Sequence, residues 1–348
     1  MTDLEAAVQL LGGPTNKVIY DDAGLPSIMV FFEAKSISDS YRGLEGDSVA
    51  PAFKVNGNNI AGFYLSKYSN VLINGRGYSL PLQEPAINIT YTDSYNACKD
   101  KGAGWHLYTN AERSYISAMC RCVNEYIPRG NNSFGTGIAK YETGIRCENN
   151  TNVVLTGSGP ITWTHDGTSS GVCDLCGNIN NYISGLRLVY GEIQIIADND
   201  AADTNNPENA TSTLWKAINT SGTLIQPSGD GNSPNSLRYF YDSSADKICL
   251  DTVSSEGVDK YKYFKDIYTT LELPNVIKLL GLYPDNEFYG NEGIRVSTGI
   301  AEAMATAGGN YGGYGLSGLA MLDMMNITRT TKSVGVGFRS AYIAELAE

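Results

Sequence analysis

Gly104-Trp105-His106-Leu107-Tyr108-Thr109-Asn110-Ala111-Glu112-Arg113 is the stretch whose reading decides the fold. Its second half holds a capping box, Thr109 with Glu112, in which hydroxyl and carboxylate satisfy each other's backbone N–H groups. Behind it Tyr115, Met119, Cys122 and Tyr126 recur at helical spacing, and Pro128 closes the run. Trp105 and Leu107 suit a strand that enters this helix. Further along, Gly171-Val172-Cys173-Asp174-Leu175-Cys176-Gly177-Asn178-Ile179-Asn180-Asn181-Tyr182 places Gly177-Asn178 at a tight turn, because both residue types tolerate φ > 0. Gly308-Gly309-Asn310-Tyr311 and Gly337-Phe338-Arg339 punctuate the last fifth of the chain.

Outside these stretches, composition limits what the protein can do. The 348 residues carry 25 Lys and Arg against 37 Asp and Glu, a formal net charge of −12. An acidic chain lacks the basic face that displaces counterions from nucleic acid, and it is repelled by anionic lipid. The longest apolar runs, Ile28 to Phe32 and Leu186 to Val189, fall far below the ~20 residues of a membrane helix. Met1-Thr2-Asp3-Leu4-Glu5 is acidic and has no basic n-region, so no signal peptide is expected. Thirty-eight Gly and 23 Tyr fit a loop-rich fold whose loops display aromatic rings. Two His, His106 and His165, with no HExxH-like pair, make a His-based metal enzyme an unsuitable reading.

The seven cysteines are Cys98, Cys120, Cys122, Cys147, Cys173, Cys176 and Cys249, an odd number that favours reduced thiols. Cys120, Cys122, Cys173 and Cys176 could make a four-thiolate zinc site only if the gap of about 50 residues closes in space. Buried free thiols are the expected state, and no metal or cofactor is expected.

Thr2 and Glu5 form another capping box, and Gly12-Gly13-Pro14 stops the helix it starts. Val18 to Tyr20, a turn at Asp21 to Gly24, and Ser27 to Phe32 read as two strands. Residues 36–51 read as a connector, so residues 1–55 are expected to be a small separate unit and residues 56–348 the main domain. Gly62 to Tyr68 alternates like a strand. Thr92 or Asp93 can cap a helix to Lys101, with Gly102 as its stop. Residues near 198–245, rich in Asp, Asn, Ser and Gly, read as a surface insertion. A helix is expected within Val258 to Leu282, with Pro274 at its first position.

Three segments together resemble the sulfatase-modifying-factor branch of the C-type lectin fold, to which formylglycine-generating enzyme belongs. Gly104 to Arg113 is similar to the family's "GWRLPTEAEW", Gly171 to Tyr182 to its "VxDLxGNVWEW", and Gly308 to Tyr311 with Gly337 to Arg339 to its "RGGSW … GFR" ending. They occur in the family's order and span roughly residues 60 to 345. The resemblance implies an α+β C-type lectin fold with loop-rich insertions. It makes Trp105, Leu107, Leu175, Gly177, Phe338 and Arg339 scaffold, with Arg339 on a buried carboxylate or on carbonyls. The family's oxidase uses two cysteines between its last two motifs, but Asn310 to Val336 contains none, so enzyme chemistry is not expected. Asn178 matches a family calcium ligand, whereas Asn181 replaces the acidic one, which weakens a hard-cation site.

Within this fold the chain looks most like the variable proteins of diversity-generating retroelements, found in phage tails and on bacterial surfaces. Their last ~40 residues are rewritten at adenines and end in a sequence like "NIGFR". Residues 308–339 are similar in punctuation. Asn codons rewritten at adenine reach Tyr, Gly, Leu, Ala and Asp but never Met or Lys. The resemblance therefore implies a ligand-binding set of Asn310, Tyr311, Gly312, Gly313, Tyr314, Leu316, Ala320 and Asp323, of which Tyr311, Gly313, Tyr314, Leu316, Ala320 and Asp323 are expected to point outward, and a scaffold set of Met321, Met324, Met325 and Lys332. Asp21 to Val30 and Pro51 to Phe53 resemble the attachment region that precedes such a domain in tail proteins. The implied partners are a host-surface protein or glycan and other tail proteins, with a homo-oligomer allowed. The implied location is a virion or an extracellular surface.

Overall fold

The structure is a computed structural model that describes residues 2–253, 257–284 and 289–347. It is a mixed α/β protein, mostly sheet with few helices. Both capping boxes form. Thr2 opens the helix Asp3–Gly12, and Thr109 opens Asn110–Ala118. The latter helix does not run on regularly to Tyr126: it passes into a π turn at Met119–Val123. The next helix upstream, Tyr91–Lys99, starts from Thr90 instead of Thr92 or Asp93. Thr90 is the hydroxyl residue whose backbone is still extended, which leaves its side chain free to accept from Asp93 N–H. The late helix is short, Asn275–Leu279, with Pro274 just ahead of it.

Two sheets organise the chain. The smaller has the strand order Asn16–Tyr20, Pro26–Glu33, Gly62–Ser66, Ser340–Tyr342, Trp105–Leu107. This order corrects the boundary expected near residue 55. Pro26–Glu33 pairs antiparallel with Gly62–Ser66, so the first strands share a sheet with the rest of the domain. Composition shifts in residues 36–51 because the chain turns there, with Phe53 and Ala52 fully buried beneath it.

The larger sheet is built on Asn180–Val189, which is buried along its whole length. Glu192–Ile195 and Ala303–Gly308 flank it, and Val336–Phe338 pairs with it in parallel. Gly318–Met324 and Gly293–Ser297 continue beyond Ala303–Gly308. The stretch expected as a surface insertion is a structural part of this sheet: Lys216–Ile218 and Arg238–Asp242 both pair with Glu192–Ile195. Trp215, Ala217, Ile218 and Leu237 are buried there, a signal diluted in the sequence by the polar turns between them.

The chain crosses between sheets at Gly337-Phe338-Arg339-Ser340. Phe338 ends a strand of the large sheet and Ser340 begins one of the small sheet. Arg339, between them, is fully buried. Its Nη1 donates to Ser66 O (3.2 Å), and its Nη2 donates to Cys173 O (2.6 Å), Asp174 O (3.0 Å) and Ser69 Oγ (3.0 Å). The expected carbonyl partners are therefore present, and they tie the Gly62–Ser66 strand to the turn before Gly177.

A second buried network joins the motif helix to distant segments. The Glu112 carboxylate accepts from Thr109 N–H (3.0 Å), faces His106 Nε2 (2.8 Å) and accepts from Asn199 Nδ2 (3.2 Å). Asn199 also donates to Ala52 O and accepts from Thr109 Oγ1. One capping box thus holds residues from near 52, 109 and 199 together.

Candidate binding surface in the C-terminal segment

Ala303–Gly308 and Gly318–Met324 are antiparallel neighbours, and residues 309–317 form the loop between them. The loop is fixed mainly through main-chain groups. Tyr311 N–H donates to Asn178 O (3.0 Å), Tyr314 N–H to Asn132 O (2.8 Å), and Phe134 N–H to Tyr311 O (2.7 Å). Asn310 acts inside the loop: its Oδ1 accepts from Gly312 N–H (3.0 Å) and its carbonyl from Ser317 Oγ (3.1 Å). The turn that receives Tyr311 has positive φ at Gly177 (74°) and Asn178 (59°), as read from the sequence.

Asn178 is wholly engaged in this staple. Its Oδ1 accepts from Asn131 Nδ2 and Val154 N–H, both at 2.9 Å, and its Nδ2 donates to Val154 O at 3.0 Å. Asn181 Oδ1 is buried without a partner among the described residues. No group of three or more His, Cys, Asp or Glu that could hold a metal ion occurs among the described residues, so Cys120, Cys122, Cys173 and Cys176 do not converge.

The expected ligand-binding set divides in two. Tyr314 is 54% exposed, with φ of 47°, an unusual backbone for a residue with a β-carbon. Tyr311, Gly312, Gly313 and Leu316 are half-buried. Tyr311 packs one side against Cys147, Val153 and Ile179, so it is both display and anchor. Ala320 and Asp323 do not point outward. Both lie on the Gly318–Met324 strand, whose residues are all buried. Ala320 is packed in the main core, and the Asp323 carboxylate pairs with Arg295 Nη1 at 2.7 Å. Burial pushes the Asp323 carboxyl above its usual range, against the pull of Arg295. Codon chemistry says which residue types can be exchanged, but it says nothing about strand direction. Met321 and Met324 lie buried on the same strand, as their assignment to scaffold implied.

Phe134 was not foreseen. It stands over the loop with its ring 5.8 Å from those of both Tyr311 and Tyr314, tilted to the first and edge-on to the second. It is 42% exposed, so the three rings form one aromatic surface. A cavity of about 230 Å³ opens beside them, lined by Asn180, Tyr261, Arg295, Asn310, Leu316 and Met321 among others. None of Phe134, Asn180, Tyr261 and Arg295 lies in residues 308–339, the segment that the family resemblance singles out. Phe134 carried a weak signal as a lone aromatic in a polar Asn131-Asn132-Ser133 turn.

Six of the seven thiols offer poor nucleophiles. Burial pushes Cys120, Cys147 and Cys173 up to about 12 and Cys249 up to about 11, and it raises Cys98 and Cys176 as well.

No family model matches the chain, and no curated protein does. Among solved structures, PvdO from Pseudomonas aeruginosa is similar with a TM-score of 0.38 and 13% identity, covering 95% of this chain and 99% of that one. The I1 and U1 variants of Major Tropism Determinant are similar with TM-scores of 0.29 and 0.28 and 9% identity, each match covering 94% of this chain and 71% of the other. These likenesses run along nearly the whole chain and are loose throughout. Among the described residues, no helix is long and apolar enough to cross a membrane.

Proposed function

We propose that this chain is a binding protein of the C-type lectin type that displays residues 309–317, with Phe134, to a target on a cell surface. A phage tail or a similar extracellular assembly is the setting, and retroelement-driven variation of the loop is the source of its specificity. The observation that carries this reading is the division of labour in the loop. Its path depends on main-chain bonds to Asn132, Phe134 and Asn178, while the Tyr314 side chain faces solvent. A loop held in this way can exchange side chains without losing its shape. Tyr and Phe supply large contact area at low entropic cost. Binding, not catalysis, is further supported by thiols that burial keeps protonated and by the lack of cysteine in the segment where the resembling oxidases carry theirs.

Labelled protein titrated against a panel of intact bacterial strains tests the reading. Saturable binding to a subset of strains is expected, weakened by about 1–2 kcal/mol, roughly five- to thirtyfold, in Tyr314→Ala. Binding that is identical for wild type and Tyr314→Ala on every strain would count against the display role. Sequencing the neighbouring DNA for a reverse transcriptase and a near-copy of the coding region for residues 308–339 tests the source of variation.

A further inference from the structure

Beside the 309–317 loop, residues 134–145 form a short hairpin whose polarity is inverted. Thr136 and Thr143 face each other across an antiparallel bridge, and Gly137 N–H donates to Glu142 O at 2.8 Å. Side chains alternate inward and outward from that pair. At the inward positions Gly135, Gly137 and Glu142 are buried and Gly144 is half-buried. The outward positions carry Ile138, Tyr141 and Ile145, which are 60%, 84% and 56% exposed. A hairpin packed on a protein usually turns its apolar side chains to the core and its polar ones to water. This one does the reverse.

The inward side shows that the inversion is held in place. The Glu142 carboxylate accepts from Arg129 Nε (2.9 Å), Thr162 Oγ1 (2.7 Å) and Trp163 Nε1 (3.3 Å). A β-carbon at Gly144 would sit 2.9 Å from the Val154 side chain, so glycine is what lets the strand lie this close. Ile145 O accepts from Leu155 N–H at 2.7 Å. The hairpin is therefore anchored by its polar and small residues, and three large apolar side chains are kept in water with no core to enter. Contiguous exposed apolar surface of this kind marks interaction sites.

Phe134 joins this face to the loop. It stands two residues before Thr136, and with φ of 53° its ring lies 5.8 Å from those of Tyr311 and Tyr314. The outward positions 134, 136, 138, 141, 143 and 145 include no charged residue. We propose that the hairpin is the constant half of the display surface, and that the target it meets is a protein with an apolar recess. The inference rests on the display reading of the loop and narrows its target. Ile138 and Ile145 gain by burial against other apolar side chains, but they offer a sugar neither a flat ring nor a hydrogen bond. A chain of net charge −12 is repelled by anionic lipid. The hairpin lies outside residues 308–339, so it stays constant when the loop varies and fits what a set of targets has in common.

Labelled full chain titrated against a panel of intact bacterial strains, with cells used untreated, protease-treated or periodate-oxidised, tests this. Ile138→Ser and Tyr141→Ser change exposed side chains and should keep the wild-type unfolding midpoint. Each should weaken binding about tenfold on every strain that the wild type binds. Protease should abolish binding, and periodate should leave it. If Tyr314→Ala weakens binding while both hairpin variants match the wild type, this proposal fails and the loop stands. If the hairpin variants weaken it while Tyr314→Ala does not, the hairpin stands and the loop is retired. Protease-resistant binding that periodate removes would make the target a glycan and overturn the proposal. So would binding to vesicles of phosphatidylethanolamine and phosphatidylglycerol, or self-association of the chain that Tyr141→Ser disperses. No saturable binding to any strain would overturn both readings.

Discussion

Residues 309–317 and 337–340 belong to the same segment, yet they are built on opposite principles. The first is held mainly by its backbone, with Asn310, Ser317 and one side of Tyr311 as its side-chain anchors, and its Tyr314 ring is spare. The second is held by its side chains: Phe338 and Arg339 are both fully buried, and Arg339 alone serves five oxygen atoms. A segment can therefore combine a tolerant part and an intolerant part a few residues apart, provided that the rigid part sets where the tolerant part begins and ends.

The sharpest way to break this comparison is at Arg339. Arg339→Ala leaves Ser66, Cys173 and Asp174 carbonyls buried and bare, and Phe338→Ala opens a cavity. Each should cost about 3–5 kcal/mol in urea unfolding, enough to abolish folding in a marginal protein. If either variant unfolds at the wild-type midpoint, the crossing between sheets is not where stability is concentrated.

Ala320 and Asp323 come next, because sequence and structure disagree on them. Ala320→Tyr forces a ring into a filled core and should cost about 1–3 kcal/mol or more. Asp323→Ala strips Arg295 of its partner and should cost about 1–2 kcal/mol. A combinatorial library confined to positions 311, 313, 314 and 316 should stay mostly soluble and cooperatively folded, whereas one that adds 320 and 323 should lose most members. Equal survival of the two libraries would restore the outward reading of these residues.

The scaffold should also respond to pH where the loop does not. Lys101 is buried, with Nζ 3.2 Å from the Trp105 ring centroid and 2.9 Å from Ser27 Oγ, and it also donates to Ser340 Oγ. Burial lowers its pKa to about 7 from 10.5. Between those values the unfolded chain binds the extra proton, so stability should rise with pH from about 7 towards 10 and be least favourable below 7. Lys101→Met should flatten that slope in unfolding curves taken at pH 6.5 and 9, while Tyr314→Ala leaves it intact. The smallest effect expected is on stability in Tyr314→Ala itself, within about 0.5 kcal/mol, because the ring is exposed. Tyr311→Ala should cost more, since Tyr311 also packs on Cys147, Val153 and Ile179.

What the sequence disclosed was local. Thr2 with Glu5 and Thr109 with Glu112 are contacts over three residues, and Gly177-Asn178 is a turn defined by two, so all were readable. Arg339 was readable as buried only through the resemblance of Gly337-Phe338-Arg339 to the family's closing motif. The pairing of Pro26–Glu33 with Gly62–Ser66 was not, because the intervening polar connector imitates a domain linker. Neither was the burial of Trp215 and Ile218, which sit between turns of the kind that usually lie on a surface. At the site, Tyr311 and Tyr314 stood out, whereas Phe134 depends on a contact across more than 170 positions that no periodicity announces.

The small sheet has a consequence for how the chain is made. Ser340–Tyr342 is its fourth strand, inserted between Gly62–Ser66 and Trp105–Leu107. During synthesis, the strands that precede it leave an open slot, with two strand edges unpaired, until residues 340–342 have left the ribosome. A product cut short before residue 339 lacks both the wedge and Arg339. Premature termination or proteolytic clipping before residue 339 should therefore yield chains that are handed to chaperones and proteases, so that copies available to carry the loop also carry this strand.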